Sequence, residues 1–97
     1  MEISNLSEVL NKFTDRLEIP EEVEFNYNKG MNWIISKTSY ELDIDNDGDF
    51  RDYLIVVKMN KTQSAGTVIV GESDGIAFYD YKILGQIVLD NHNWLSI

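Results

Sequence analysis

The sequence has no cysteine and only one histidine. Without cysteine there can be no disulfide framework and no thiolate-bound metal, and a lone histidine cannot supply the nitrogen ligands of a catalytic zinc site. His92 stands between two asparagines, and the sequence pairs it with no nucleophile, so we interpret it as a surface residue. The sequence therefore predicts a protein that is not an enzyme and needs no cofactor.

Long apolar runs are absent as well. No segment approaches the roughly 20 apolar residues of a membrane-spanning helix, and the first ten residues, MEISNLSEVL, lack the basic and apolar regions of a signal peptide. We therefore expect a cytoplasmic protein with no membrane partner. A chain of 97 residues has room for one hydrophobic core, which predicts a single domain over 1–97.

Basic residues are scarce: 8 Lys and Arg stand against 17 Asp and Glu, and the net charge is −9. Such a charge repels nucleic acid and acidic membranes and attracts basic proteins. We therefore expect a basic protein partner and no direct contact with nucleic acid. Most of the acids fall into two segments. The 18–24 cluster contains Glu18, Glu21, Glu22 and Glu24, and the 41–52 cluster contains Glu41, Asp43, Asp45, Asp47, Asp49 and Asp52.

Hydrophobic periodicity predicts a helix followed by a sheet. Apolar residues recur at helical spacing from Leu6 to Leu17, and Pro20 follows, which predicts an amphipathic helix over about 5–18. From about residue 22 to 90, short runs rich in Val, Ile, Tyr, Phe and Trp alternate with turn residues, which is typical of about six antiparallel strands in a meander. The run 54–57 is apolar on both faces, so we expect it at the sheet centre, under the helix. The predicted fold class is α+β, with the helix packed on the sheet.

The segment DIDNDGDFRD, residues 43–52, resembles two kinds of calcium-binding loop. Its first half matches the alternating carboxylates and glycine of an EF-hand, and it is similar to the D-x-D-x-D-G-x-x-D loop of calcium-binding β-repeats. Leu54 stands where the EF-hand has its bidentate acid, and Arg51 stands where the β-repeat loop has its closing acid. A calcium-binding structural module is therefore one alternative, and a plain hairpin turn is another. The calcium ligands would be Asp43, Asp45, Asp47, Asp49 and Asp52.

A third interpretation of the 41–52 cluster is an acidic binding face. If residues 40–45 are extended, Glu41, Asp43 and Asp45 project from one side at intervals of about 6.6–6.8 Å. Such a row would match lysines and arginines that otherwise contact the phosphates of a nucleic acid, and three nearby aromatic residues could be anchors or core residues. The predicted partner-binding residues are Glu21, Glu22, Glu24, Glu41, Asp43, Asp45, Asp47, Asp49, Asp52, Tyr40, Phe50 and Tyr53.

In size, acidity and helix-plus-sheet organisation, the chain resembles the small antidote proteins of bacteria and phages, namely toxin-immunity proteins and acidic anti-CRISPR inhibitors. The resemblance lies in overall character and assigns no residue. It implies an inhibitor that occludes a basic, nucleic-acid-handling partner. The function predicted first is an immunity protein that neutralises a cognate nuclease toxin. A nucleic-acid-mimicking anti-CRISPR inhibitor and the calcium-binding module are the alternatives.

Overall fold

The computed structural model describes residues 6–13, 24–45, 47–73, 78–90 and 93–96. These residues form one helix and seven strands. The elements are α1 (Leu6–Phe13), β1 (Phe25–Asn28), β2 (Trp33–Ser36), β3 (Tyr40–Leu42), β4 (Arg51–Met59), β5 (Ala65–Ser73), β6 (Phe78–Asp90) and β7 (Asn93–Ser96).

All seven strands belong to one antiparallel sheet, which curls into a half-barrel. The order across the sheet is β1-β2-β4-β5-β6-β7, and β3 pairs with β4. Strands β2 and β3 lie end to end along the same edge of β4, because they pair with its two halves and only three residues connect them. The β3–β4 and β5–β6 connections therefore share one end of the sheet, and the β1–β2 and β4–β5 connections share the other.

The junction between β2 and β3 is an interruption in what would otherwise be one strand. Between the pairs Ile35–Val56 and Tyr40–Tyr53, the β2–β3 side has four residues and β4 has two. At this point the amide of Ile55 donates a hydrogen bond of 3.0 Å to the buried hydroxyl of Ser36. The serine side chain thus supplies the acceptor that a buried amide requires.

The main hydrophobic core lies on one face of the sheet, which we call the inner face. Helix α1 contributes Leu6, Val9 and Leu10 to this core, because residues three and four apart form one stripe on a helix, and β7 contributes Trp94. Among the described elements, β7 is the one whose backbone lies closest to α1. No helix in this part of the chain is long and apolar enough to span a bilayer.

A row of β-branched residues crosses the opposite, outer face. Ile35, Val56, Ile69 and Ile83 are direct neighbours on β2, β4, β5 and β6. Val56 and Ile69 are 1% and 3% exposed and lie outside the main core cluster, so the outer face buries a second, smaller group of apolar side chains. Ile83, at the end of the row, is 67% exposed.

Aromatic rings extend this outer-face row. Trp33 contacts Phe78 edge to face at 6.2 Å between ring centroids, and Phe78 stacks on Tyr81 at 6.1 Å. Phe78 covers Gly71, where the absence of a side chain leaves room for the ring. The ammonium group of Lys58 lies 5.6 Å from the Trp33 ring centroid. We call Trp33, Phe78 and Tyr81 the aromatic cluster.

Strand β6 contains two bulges opposite β5. The first falls between the partners of Val68 and Ile69, and the second falls between the partners of Val70 and Glu72. Each bulge includes a residue with positive φ, Gly85 at 153° and Asp80 at 48°. Bulges add twist and redirect side chains locally. Those in β6 shape the end of the sheet that carries the β3–β4 loop.

The predicted α+β class is wrong. Strands make up most of the described residues, and α1 is a helix of two turns at the end of the strand order, so the protein is mainly an antiparallel β-sheet. The helix lies beside β7, at the end of the strand order, so the predicted position of the helix over residues 54–57 is also wrong. Residues 55–57 are buried because the main core covers one face and the outer-face row covers the other. Positions 5 and 14–18 of the predicted helix lie outside the described residues.

Candidate functional site

Glu41 and Asp52 lie directly opposite each other on β3 and β4. Both side chains are exposed and project from the outer face, because their chain neighbours Leu42 and Tyr53 are buried on the inner face. Neither carboxylate forms an ion pair with any described residue. Like charges on directly opposed residues destabilise a sheet. The pair is therefore a local energetic cost with no compensation in this part of the chain.

The chain turns away from the strand after Leu42 and forms a loop held by its own aspartates. The carboxylate of Asp43 accepts hydrogen bonds from the amides of Asp47 at 3.2 Å and Gly48 at 3.0 Å. Gly48 has a φ of 83°, a left-handed conformation that glycine adopts readily. Residues 43–45 are therefore not extended, and the predicted row along 40–45 is wrong beyond Leu42. The acid adjacent to Glu41 is instead Asp52, which lies opposite it on β4.

Two basic side chains bind carboxylates of this loop. The Nε of Arg51 donates to Asp49 at 3.0 Å, and its Nη1 lies 3.6 Å from a carboxylate oxygen of Glu72 on β5. Lys82, on β6, donates to Asp45. These ion pairs connect the loop region to β5, through Glu72, and to β6, through Lys82.

The ion pairs and a backbone hydrogen bond shift the pKa of three groups. The hydrogen bond to Asp49 raises the pKa of Arg51, and the hydrogen bond to Asp45 raises the pKa of Lys82. The amide of Asp49 donates to the carboxylate of Asp47 at 2.9 Å, and this bond is the main cause of the lowered pKa of Asp47. Each shift favours the charged form of the group.

A cavity of about 400 Å³ opens between the loop and the adjoining ends of β4, β5 and β6. Five carboxylates, two cations and two tyrosines line it, so three negative charges are in excess. We call it the acidic cavity. Its carboxylates are Asp45, Asp47, Asp49, Glu72 and Asp80, its cations are Arg51 and Lys82, and its tyrosines are Tyr53 and Tyr81.

The aspartates predicted as calcium ligands do not converge on a common point. No three Asp, Glu or His side chains in the described part of the chain lie where they could share a metal ion. The carboxylate of Asp43 accepts hydrogen bonds from backbone amides, and those of Asp45 and Asp49 accept hydrogen bonds from basic side chains. Asp52 lies opposite Glu41 on the outer face. The arrangement is that of a hairpin loop stabilised by its own side chains.

The three aromatic residues predicted beside the acids lie in different environments. Phe50 is 58% exposed. Tyr40 is half-buried and packs against the main core, directly opposite Tyr53. Tyr53 is 4% exposed and lines the acidic cavity. Phe50 therefore has the surface position that a partner-contacting anchor requires.

The 18–24 cluster is represented in the described residues by Glu24. Its carboxylate pairs with Lys37 at 2.8 Å, and the hydrogen bond from Lys37 lowers the pKa of Glu24. Its backbone oxygen accepts a hydrogen bond from the Lys37 amide, which continues the β1–β2 pairing. Glu18, Glu21 and Glu22 lie outside the described residues.

Sequence reasoning missed four residues that line the acidic cavity: Glu72, Asp80, Tyr81 and Lys82. They lie 20 or more positions from the 41–52 cluster and reach it through the β4–β5 and β5–β6 pairings. The only sequence signal was the chain position of Glu72, which begins the ESDG turn, and of Asp80, which follows it. Their side-chain directions depend on bulges, which no residue pattern marks.

Comparison with protein-family models, with curated proteins and with solved structures finds no match to this chain. The chemistry of the unpaired carboxylates, the acidic cavity and the aromatic cluster is therefore the basis for assigning a function.

Proposed function

We propose that the protein is a non-enzymatic, cytoplasmic inhibitor that covers a basic surface of a nucleic-acid-handling partner, and that it acts as an immunity protein against a cognate nuclease toxin. The observation that carries the proposal is the opposed pair of Glu41 and Asp52 on the outer face, which form no ion pair within the described residues. A lysine or arginine of a partner placed between the two carboxylates removes their mutual repulsion and gains two charge-assisted contacts. Binding thus recovers free energy that the isolated fold loses.

The position of this pair beside an apolar surface supports a protein partner. Asp52 is followed on the same face by Leu54, which lies opposite Gly71 and so adjoins the ring of Phe78. Stable protein interfaces combine an apolar, often aromatic centre with a charged rim. The outer face has both parts, with Tyr81 and Ile83 61% and 67% exposed.

The net charge of −9 supports the choice of partner. A nuclease carries a basic surface where it binds phosphates, and an acidic protein of opposite field reaches such a surface at an increased rate. An inhibitor that covers this surface excludes the nucleic acid without any chemistry of its own. The sign of the charge and the apolar area beside the carboxylates therefore support this class of partner.

The test uses a double variant, Glu41→Gln with Asp52→Asn, because these two side chains hold no loop backbone. An immunity protein is expected to be encoded beside its toxin, so the partner to test is a nuclease found among the neighbouring genes. The assays are isothermal titration calorimetry at several salt concentrations and protection of cells that express the nuclease. We expect wild type to bind more weakly as salt rises, and the double variant to bind about tenfold more weakly at low salt.

Asp90→Asn is the matched control, since Asp90 is an exposed carboxylate at the opposite end of β6. It removes a charge without touching the outer-face pair and should leave affinity and protection within twofold of wild type. If the double variant binds as tightly as wild type, or protects cells equally well, the outer-face pair is not the binding site. If wild type itself neither binds nor protects, the immunity function is wrong.

A further inference from the structure

The acidic cavity contains a polar group that the fold does not use. Tyr53 is 4% exposed, and its hydroxyl has no hydrogen-bond partner among the described residues. In the same part of the chain, every side-chain nitrogen or oxygen atom that is fully sealed from solvent has a partner. The Tyr53 hydroxyl therefore keeps its access to solvent, and the cavity that Tyr53 lines is the place where it does so.

The carboxylates around this hydroxyl outnumber the cations, which favours binding of a further cation. Asp45, Asp49 and Glu72 have cationic partners, but Asp47 and Asp80 form no ion pair within the described residues. Both unpaired carboxylates line the cavity together with Tyr53. Asp80 lies at the second β6 bulge, where its positive φ of 48° sets the local direction of the chain.

The spread of the carboxylates favours an extended cation over a metal ion. A metal ion needs ligands that converge on one point, and no such group of three is present in the described residues. A guanidinium group has five N–H donors in one plane and bridges carboxylates that lie apart. The exposed ring of Tyr81 offers it a face to stack on. A volume of about 400 Å³ leaves room for such a side chain.

We infer that the acidic cavity is a binding site for an arginine side chain of the partner, with the guanidinium group contacting Asp47, Asp80 and the Tyr53 hydroxyl. This inference rests on the proposed function and specifies one group that the inhibitor recognises. The resident cations are paired with other carboxylates of the cavity: Lys82 with Asp45, and Arg51 with Asp49 and Glu72. The cavity and the outer-face pair are separate contact points on one end of the sheet.

The inference is tested on the whole protein with a blocked amino acid, so that the guanidinium group is the only charge on the probe. Two-dimensional amide NMR follows titrations with Nα-acetyl-arginine amide, with its uncharged isostere Nα-acetyl-citrulline amide, and with Nα-acetyl-lysine amide. We expect saturable shifts for amides of residues 45–53 and 79–82 with the arginine probe. The citrulline probe should give no saturable shift, and the lysine probe should bind more weakly.

Two variants and a control locate the binding. Tyr53→Phe removes only the hydroxyl and should weaken arginine binding about fivefold, while leaving the melting temperature unchanged because the hydroxyl has no hydrogen-bond partner among the described residues. Asp80→Asn keeps a residue that tolerates positive φ and should weaken binding about tenfold. Asp90→Asn should have no effect. Equal binding of the citrulline probe, tighter binding of the lysine probe, or equal losses in Asp80→Asn and Asp90→Asn would overturn the assignment.

The outcomes separate this inference from the proposed function. If the arginine probe does not bind but the outer-face variant still weakens binding to the nuclease, the cavity assignment fails and the inhibitor function stands. If the probe binds as expected but wild type neither binds nor inhibits the nuclease, the cavity chemistry holds and the partner assignment fails.

Discussion

The ring of Phe78 occupies the space that a Cβ atom on Gly71 would need, and its Cε2 and Cζ atoms lie closest to that position. The variant Gly71→Ala must therefore displace the ring and break its stacking on Tyr81. Overpacking of this kind destabilises by about 1–3 kcal/mol. Urea unfolding followed by near-ultraviolet circular dichroism measures both the loss of stability and the change in aromatic packing.

A double-mutant cycle supplies the control for this variant. In a Phe78→Ala background the space above residue 71 is empty, so Gly71→Ala should be neutral or stabilising, because alanine loses less backbone entropy than glycine. An equal cost in both backgrounds would show that the ring is not the obstacle.

Removal of the Ser36 hydroxyl should destabilise the fold at the β2–β3 junction. Ser36→Ala leaves the buried amide of Ile55 without its acceptor, which costs about 1–3 kcal/mol. The exposed Ser39 provides the matched control, and Ser39→Ala should stay within about 0.5 kcal/mol of wild type. Denaturant unfolding measures stability, and hydrogen exchange should show faster exchange at the Ile55 amide in Ser36→Ala alone.

Neutralisation of either acid in the outer-face pair should stabilise the isolated protein. Glu41→Gln or Asp52→Asn removes the repulsion between directly opposed carboxylates, which is expected to raise the free energy of unfolding by about 0.2–1 kcal/mol. Because one substitution already removes the repulsion, the second should add less. Thermal unfolding at low and high salt measures this, and a loss of stability in both single variants would show that the pair is not strained.

Acidification should remove a contribution that Asp47 makes to stability. Its pKa in the folded protein lies below the ordinary value of 3.8, so the ionised carboxylate stabilises the fold at higher pH, and this stabilisation is lost as the pH falls through the folded-state pKa. Asp47→Asn can still accept the hydrogen bond from the Asp49 amide but cannot ionise. The difference in unfolding free energy between wild type and this variant should be constant from pH 7 to pH 5 and should shrink below about pH 4. A difference that does not change down to pH 2 would contradict the assignment.

Calcium should not stabilise the protein specifically. The carboxylates of Asp43, Asp45 and Asp49 are occupied by backbone amides and basic side chains, so a calcium ion would have to displace these contacts. We expect equal melting temperatures in calcium and in magnesium at matched ionic strength, and no binding heat in calorimetry. Micromolar binding that disappears in Asp45→Asn with Asp47→Asn would restore the calcium-binding alternative.

The sequence pattern predicts individual strands better than it predicts the architecture. Runs such as YLIVVKM and TVIVG are rich in β-branched residues and end at turn residues, and they lie in β4 and β5. The apolar stripe of α1 could not reveal where the helix packs, because any apolar surface satisfies it. Its contact with β7, the last strand, arises from the tertiary structure alone.

The composition of the acidic site is visible in the sequence, but its geometry is not. The position of Asp52 opposite Glu41 depends on the strand register, and a shift of one residue would place Arg51 or Tyr53 there instead. The interruption between Ile35 and Tyr40 also offsets the register of β3 from that of β2, and no residue pattern predicts it. The acidic cavity likewise depends on long-range pairing that brings Glu72 and Asp80 to the loop.

The two bulges in β6 act as a pair of compensating insertions in the inside-outside alternation of the strand. Because the first bulge adds Leu84 to β6, the residues before it lie on the opposite faces from those that strict alternation would give. Lys82 is opposite Val70 on the inner face, and Ile83 is opposite Ile69 on the outer face. The second restores the original order. If Leu84 instead paired with Ile69 in a regular ladder, Ile83 would lie on the inner face and Lys82 on the outer face, which would remove the ammonium group from Asp45 and direct an isoleucine toward the acidic cavity. The single extra residue of this bulge, which lies in the interior of β6, therefore decides whether a cation or an apolar side chain reaches the acidic cavity.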